Sequence, residues 1–265
     1  MQGNGEHQAN DKALPPAARG AGFASPFDRA AWFDLLTARG YAPGGRIDAW
    51  GRAGETTAWL PLRIERLGTL AGLANWYSFS IRPLYTGESD RAGALRDLAA
   101  RLRTRAARLA LYPVPDAEKD GIAAAMSKAG WWVRSAPKGD RHWLDLEGLD
   151  HDGWWESRPG ALRSTVRRKA NKGVVEVALF TVFDAAAWAA YETIYAASWK
   201  PEEGDPELLR TFARTESERG TFRMGLARIA DTPVAAQFWT VEDRTAFIHK
   251  LAHVEDSLKA SPGTL

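Results

Sequence analysis

Cysteine is missing from all 265 residues of the chain. Its absence excludes disulfide bonds, thiolate nucleophiles and cysteine-ligated metals, and nothing in the composition points to an oxidising compartment. The composition is typical of a globular protein, because 45% of the residues are hydrophobic and 26% are charged. At this length the chain has room for two domains of ordinary size.

Long apolar runs are missing as well. Residues 1–22 lack the apolar centre of a signal peptide, and no run of about 18 apolar residues occurs later. We therefore expect a cytoplasmic protein without membrane insertion. The polar composition of residues 1–22 predicts a disordered tail that precedes the two domains.

The chain has little net charge. Its 35 Lys and Arg residues and its 33 Asp and Glu residues leave a formal net charge of +2. This balance excludes a field over the whole surface that would attract polyanions. An anion site has to be built locally, from cations that lie close together.

The first half of the chain, residues 23–149, mixes helix and strand signals. A cap-like opening at 25–28 leads into a helix that ends at Gly40, and residues 46–50 and 56–64 predict a hairpin. The further predicted elements are a strand-rich stretch at 76–84, a helix from Ser89, a strand at 109–114, a helix at 116–130 and a hairpin of 131–135 with 142–146.

The second half, residues 150–265, begins with helices and ends with strands. Its predicted elements are a helix over 154–172 broken at Pro159, a strand at 174–183, a helix with an apolar stripe from Trp188 to Tyr195, a loop at 199–204, a helix between Asp205 and Gly220, and strands at 222–229, 234–241 and 245–254. Helices combined with mainly antiparallel strands in both halves indicate the α+β class.

The helix over 158–172 carries six cations and no acidic residue: Arg158, Arg163, Arg167, Arg168, Lys169 and Lys172. One interpretation is a solvated helix face. The other is an anion site for a phosphate-rich donor, either an acyl-CoA or the backbone of a tRNA, since guanidinium groups suit phosphates. The absence of aromatic residues from this run gives no support to base stacking.

Two histidines and a lysine stand out in the strand at 245–254. Strand alternation predicts that His249 and His253 share one side while Lys250 faces the other. Either imidazole is a candidate general base for an attacking amine, or a structural group. Two histidines without a third ligand make a poor metal site, so we expect no metal. Lys250, among apolar residues, needs a ligand or a carboxylate partner, for which Glu242 and Asp256 are candidates.

The loop at 199–204 brings carboxylates between two helices. Trp199, Lys200, Glu202 and Glu203 are candidate contacts for an acceptor, because an acidic loop attracts an amine. The alternative is a plain connection, in which Asp205 caps the next helix and the glutamates lie in water.

The last residues have the order of a helix start. Ser261 is the predicted N-cap and Pro262 the first helical residue, after a polar loop at 255–259. The backbone amides of Gly263 and Thr264, with the Thr264 hydroxyl, would then suit a phosphate. A simple helix cap is the alternative.

Four segments in order carry a resemblance: SWKPEEGDP at 198–206, the hairpin at 223–241, and residues 248–252 and 261–265. They resemble the acetyltransferase domain of the GNAT superfamily that is found in proteins associated with cellulose biosynthesis and is related to the Fem-type aminoacyltransferases. The resemblance covers residues 150–265, whereas residues 23–146 share only the order of elements. Where the wider superfamily has a Gln/Arg-x-x-Gly-x-Gly/Ala loop, this chain has Ser-Pro-Gly-Thr at 261–264.

The resemblance implies two GNAT-like halves and the transfer of an acyl group from acyl-CoA to an amine, or to a sugar, in polysaccharide biosynthesis. It implies a backbone donor for the oxyanion within 249–252. Two alternatives stay open: a Fem-type transferase that uses aminoacyl-tRNA, and a non-catalytic module in polysaccharide synthesis or export. The resemblance also implies a helix and a strand beyond Leu265, so we expect the C-terminal half to be incomplete and inactive as it stands.

Overall fold

The structure is a computed structural model that describes residues 25–137, 139 and 142–265. The predicted tail at 1–22 lies outside these residues. The chain divides into two compact units, of which the first ends at Pro137 and the second comprises the residues after it. Each unit contains one sheet flanked by helices, so the predicted α+β class is confirmed.

The first unit is built on a five-stranded sheet in the order β1-β2-β3-β5, with β4 also paired to β2. Strands β3 and β5 run parallel and the other pairs are antiparallel. The predicted first hairpin is confirmed as β1 and β2. In chain order the elements are α1 (Ala30–Ala38), β1 (Arg46–Ala53), β2 (Thr56–Arg66), β3 (Thr69–Gly72), β4 (Leu84–Thr86), α2 (Arg91–Arg105), β5 (Arg108–Ala110) and α3 (Asp116–Lys128).

The strand-rich stretch predicted at 76–84 is wrong. Strands lie on either side of it, in β3 and β4, whereas residues 73–83 are irregular. The Asn75 side chain accepts a hydrogen bond from the Tyr77 backbone, and Ser78 donates its backbone N–H to the Asn75 carbonyl. These bonds close a turn, and Phe79 stacks against Phe27 in place of joining a ladder. The aromatic residues that suggested a strand serve core packing instead.

The hairpin predicted from 131–135 and 142–146 is also wrong. Within the described residues from 131 to 150 there is no strand, and the indoles of Trp132 and Trp143 are 87% and 68% exposed. A strand needs a paired neighbour and a buried face, and sequence composition alone supplies neither.

The second unit carries a four-stranded antiparallel sheet in the order β6-β7-β8-β9. The predicted break at Pro159, the loop at 199–204 and the three final strands are confirmed. The elements are α4 (His151–Glu156), α5 (Gly160–Ala170), β6 (Glu176–Phe180), α6 (Ala185–Ala196), α7 (Pro206–Glu218), β7 (Phe222–Ile229), β8 (Thr232–Glu242) and β9 (Thr245–His253).

Helices α6 and α7 cover one face of this sheet. Trp188 of α6 and Phe212 of α7 both contact Phe238, which is fully buried on β8. Asp205 begins α7, because its side chain accepts a hydrogen bond at 3.0 Å from the Leu208 N–H. The predicted cap is confirmed, and it fixes the loop at 199–204 beside the sheet.

The chain after β9 differs from its prediction. Residues Glu255–Ala260 form a 3-10 helix, not a loop, and Ser261 is its C-cap with φ at 55°. An N-cap has an extended backbone, so the predicted role of Ser261 is wrong. Its carbonyl accepts hydrogen bonds from the N–H groups of Thr264 and Leu265, which form a turn, not a helix.

Candidate active site

A β-bulge interrupts strand β9 at His249. Phe238 of β8 pairs with Lys250 and Trp239 pairs with Ile248, so His249 is left without an opposite residue. The extra residue breaks the two-residue alternation of side chains. His249 packs on Phe238, and Lys250 lies over Tyr195 of α6, so both side chains turn toward the helices. The prediction that these two residues face opposite sides is therefore wrong.

His249 lies in an aromatic environment. Its ring centroid is 5.2 Å from that of Phe212 and 4.9 Å from that of Phe238, and its Nε2 is 2.9 Å from the buried Thr240 hydroxyl. Burial, followed by the nearby Lys250 charge, lowers the pKa of His249 from 6.5 to about 3. The imidazole is therefore neutral at pH 7. This geometry favours the structural interpretation of His249 over the catalytic one.

The lowered pKa predicts a pH dependence of stability. Between pH 6.5 and about 3 the unfolded chain binds a proton at His249 that the folded chain does not, so protonation favours unfolding as the pH falls. His249→Gln removes this term. When the pH falls from 7 to 4.5, we expect the free energy of unfolding of the parent to drop by about 2 kcal/mol more than that of the variant.

Urea unfolding at a series of pH values measures this difference. His151→Gln is the matched control, because the His151 side chain is 80% exposed. A difference between parent and His249→Gln that stays constant from pH 7 to 4.5 would show that His249 titrates normally in the folded state.

Lys250 forms the central ion pair of the site. Its Nζ lies 2.9 Å from Oε1 and 2.8 Å from Oε2 of Glu203, and the two side chains are only 14% and 13% exposed. Lys250 therefore has the carboxylate partner that the sequence required. The partner that the structure shows is Glu203, which the loop after α6 brings to the strand.

Two tyrosines of α6 complete this cluster. The Tyr191 hydroxyl donates to Glu203 Oε2 at 3.4 Å, and the Tyr195 ring centroid lies 5.1 Å from Lys250 Nζ. Burial, with a smaller contribution from Glu203, raises the pKa of Tyr195. Sequence reasoning missed both residues as site residues. Their four-residue spacing on a helix that leads into the acidic loop was the available signal.

The other loop residues differ in their exposure. Burial and the Lys250 charge lower the pKa of Lys200. Trp199 is 66% exposed and Glu202 is exposed. The structure thus brings Glu203 together with Lys250, while Trp199 and Glu202 lie at the surface of the loop.

A second group of predicted residues lies past the end of β9. A Cβ atom built on Gly263 would lie 3.7 Å from His253 Nδ1, so these two residues are neighbours. Gly263 and Thr264 are exposed. The Lys169 ammonium of α5 donates to the Lys259 carbonyl, which ties α5 to the 3-10 helix after β9.

The three predicted arginines of α5 share one helix face. Arg163, Arg167 and Arg168 line an open surface depression of about 670 Å³ that we call the α5 groove. Its other lining residues are Gly160, Ser164, Asn171 and Lys172. The structure thus separates the predicted residues into three groups: the Lys250 cluster, the His253 and Gly263 pair, and the α5 groove.

Comparison with known proteins finds one family match, which lies in the second unit. The family model described as an acetyltransferase (GNAT) domain matches residues 160–265. No curated protein matches the chain. The match begins at the first residue of α5 and includes the Lys250 cluster and the residues after β9.

Solved structures show the same fold at low sequence identity. One is the C-terminal domain of a protein described as a lysylphosphatidylglycerol synthetase from Agrobacterium fabrum, with a TM-score of 0.54 and 14% identity. The likeness covers 88% of this chain but 66% of that one, so this chain spans slightly less than two thirds of its length.

Two further structures are weaker likenesses. One is a protein of unknown function from Bacteroides thetaiotaomicron, at 12% identity and a TM-score of 0.46, covering 87% of this chain and 74% of that one. The other is a tandem GNAT protein from the clavulanic acid biosynthesis pathway, at 16% identity and a TM-score of 0.42, covering 88% of this chain and 78% of that one.

None of the helices among the described residues is long and apolar enough to cross a membrane. The cellulose-biosynthesis type and the Fem relationship stay predictions, and what the comparisons give is a match of residues 160–265 to the model of a GNAT acetyltransferase domain.

Proposed function

We propose that residues 160–265 act as an N-acyltransferase, which moves an acyl group from an acyl-CoA thioester to an amine. The observation that carries the reaction class is the match of this segment to the GNAT acetyltransferase domain. The largely buried carboxylate of Glu203 supports an amine, in preference to a sugar hydroxyl, as the acceptor. Amino groups of glycans are candidate acceptors in view of the cellulose-biosynthesis resemblance, and a cytoplasmic location fits an acyl-CoA donor.

The reaction needs few side chains. The acceptor nitrogen attacks the thioester carbonyl carbon, the carbon–sulfur bond breaks, and the thiolate leaves and takes up a proton. Among the described residues β9 pairs only with β8, so its alternate backbone N–H groups face an open edge. An N–H within 249–252, beside the bulge, would donate to the oxyanion. Holding the two reactants at this edge supplies much of the rate.

The acceptor amine has to lose a proton before it attacks. Glu203 is the group best placed to take this proton through water, since its carboxylate lies in the Lys250 cluster beside the open edge of β9. His249 is a poor candidate, because its Nε2 lies at the Thr240 hydroxyl and its pKa is lowered to about 3. Lys200 and His253 would contact the acceptor and the donor.

Gly263→Asp tests the donor site. The substitution adds a carboxylate where a diphosphate of the donor would approach the Gly263 N–H, and like charges repel, so we expect acetyl-CoA binding to fall at least about tenfold. A Cβ at Gly263 meets His253 at an ordinary 3.7 Å, and the fold should be kept. Calorimetry with acetyl-CoA measures the affinity.

Gly121→Asp is the matched control for this experiment, since Gly121 lies on α3 with open space around it. It adds the same group far along the chain from the donor site. Equal affinity of Gly263→Asp, Gly121→Asp and parent protein for acetyl-CoA would remove the donor site from 261–264.

A further inference from the structure

Trp76 is an exposed tryptophan on a segment that leaves the sheet of the first unit. Strands β3 and β4 both pair with β2, and residues 73–83 between them are irregular. Trp76 is 65% exposed. A single exposed apolar residue is ordinary on a protein surface. Trp76 differs from that case because its position is fixed and because aromatic and polar groups surround it.

The turn that carries Trp76 is closed by hydrogen bonds. Ser78 donates its backbone N–H to the Asn75 carbonyl at 3.0 Å, and the Asn75 side chain accepts from the Tyr77 N–H at 3.0 Å. The indole of Trp32 on α1 donates to the Ser78 hydroxyl at 3.2 Å, which ties the turn to the helix. The turn is therefore preorganised, and a ligand does not have to order it on binding.

Two tyrosines support the Trp76 ring. The Tyr41 ring centroid lies 5.3 Å from it in an edge-to-face arrangement, and the Tyr77 ring centroid lies 5.5 Å from it. Tyr41 follows the end of α1, where Gly40 has a φ of 85° and the Tyr41 N–H donates to the Leu36 carbonyl. Tyr77 is only 7% exposed. Both supports are thus fixed by the fold, while most of the indole stays open to solvent.

A pair of opposite charges lies beside the same turn. Arg63 on β2 donates from Nη1 to the Ala74 carbonyl at 2.5 Å and from Nε to Glu65 Oε1 at 2.6 Å. The side chains of Arg63 and Glu65 are 26% and 43% exposed, so both can still contact a ligand. Their charges cancel, which favours a ligand with hydroxyl groups over a phosphate or an ammonium ion. The Trp76 platform, as we call this surface, consists of Tyr41, Arg63, Glu65, Trp76 and Tyr77.

We propose that the Trp76 platform binds a sugar ring of a glycan. The C–H face of a pyranose is apolar and slightly positive, so it stacks on the negative face of an indole. The hydroxyl groups at the edge of the sugar exchange hydrogen bonds with a guanidinium donor and a carboxylate acceptor, which Arg63 and Glu65 supply.

The size of the platform agrees with this ligand. At 65% exposure Trp76 presents roughly 150 Å² of surface, which suits one sugar ring. A stable protein complex covers about 800 Å² of each partner, which is several times more. The platform is therefore matched to a small ring with an apolar face.

This site goes beyond the proposed acyl transfer. All residues of the platform belong to the first unit, whereas the acyltransferase proposal concerns residues 160–265. Sugar binding would give the first unit a role of its own. Because the two proposals use different residues, either one can fail while the other holds.

The test titrates the full chain with cellohexaose, chitohexaose and maltohexaose by calorimetry. We expect the parent to bind at least one of them with a Kd of about 1 mM or tighter. Trp76→Ala removes the stacking face and should weaken binding at least about tenfold, whereas Trp76→Phe keeps an aromatic face and should stay within about fivefold of the parent. Glu65→Ala removes one hydrogen-bond acceptor and should weaken binding about threefold or more.

Trp132→Ala is the matched control. Trp132 is a more exposed indole, at 87%, in the same unit and outside the platform, so this variant should bind within about twofold of the parent. Equal losses in Trp76→Ala and Trp132→Ala, or no binding of any of the three sugars by the parent, would overturn the proposal. Sedimentation adds a further arm: a dimer that Trp76→Ala dissociates, with sugar binding unchanged, would assign this surface to a second copy of the chain.

Discussion

Lys250→Met is expected to lower the free energy of unfolding by about 3–5 kcal/mol, because it leaves the Glu203 carboxylate at 13% exposure without its cation. Removing an exposed ion pair lowers the free energy of unfolding far less. Lys119→Met, which removes a cation with 47% exposure beside Asp120, should cost no more than about 1 kcal/mol. Urea unfolding of parent and variants measures both values.

The double variant Lys250→Met/Glu203→Gln distinguishes a lost pair from lost packing. Removing both charges leaves no uncompensated carboxylate, so the double variant should recover much of the stability that Lys250→Met loses. If the effects of the two single substitutions simply add, the ion pair does not couple these residues as the structure indicates.

Glu203→Gln is expected to lower kcat/KM for acetyl transfer by about 10²–10⁴-fold, since the amide cannot take a proton from the acceptor amine. Thiol release from acetyl-CoA is the measurement, with spermidine, lysine and glucosamine as amine probes. Acetyl-CoA affinity should be unchanged, because Glu203 lies in the Lys250 cluster and not among the residues after β9.

The double variant serves as a second arm of this experiment. Lys250→Met/Glu203→Gln should be as slow as Glu203→Gln although it is better folded than Lys250→Met. Full turnover by either variant that lacks the Glu203 carboxylate would show that another group receives the proton. His253→Ala in the same assay identifies that group if it is His253.

Local patterns were sufficient to predict most elements of the second unit. Strands β7, β8 and β9 follow from β-branched and aromatic runs separated by turn residues, and α7 follows from Asp205-Pro206 and the spacing of Leu208, Leu209 and Phe212. These elements are fixed by interactions within a few residues or between neighbours in sequence. The same reasoning placed strands at 76–84 and 131–146, where tertiary packing or the lack of a partner overrides composition.

The centre of the candidate site was only partly predictable. Lys250 and Glu203 were each identified, but their pairing joins residues 47 positions apart and depends on the bulge at His249. A bulge has no reliable signal in a single sequence, and one extra residue reverses the facing of every side chain after it. For the same reason His249 and Lys250 were assigned to opposite sides.

The central claim is that an acyl-CoA binds along β9 and the residues after it. The most direct measurement is a crystal structure of the protein soaked with coenzyme A. The account predicts the diphosphate within hydrogen-bond distance, about 2.7–3.2 Å, of the Gly263 N–H and the Thr264 hydroxyl, with the thiol at the open edge of β9 near 249–252. Coenzyme A bound away from β9, or a soaked crystal in which these residues hold no ligand, would contradict it.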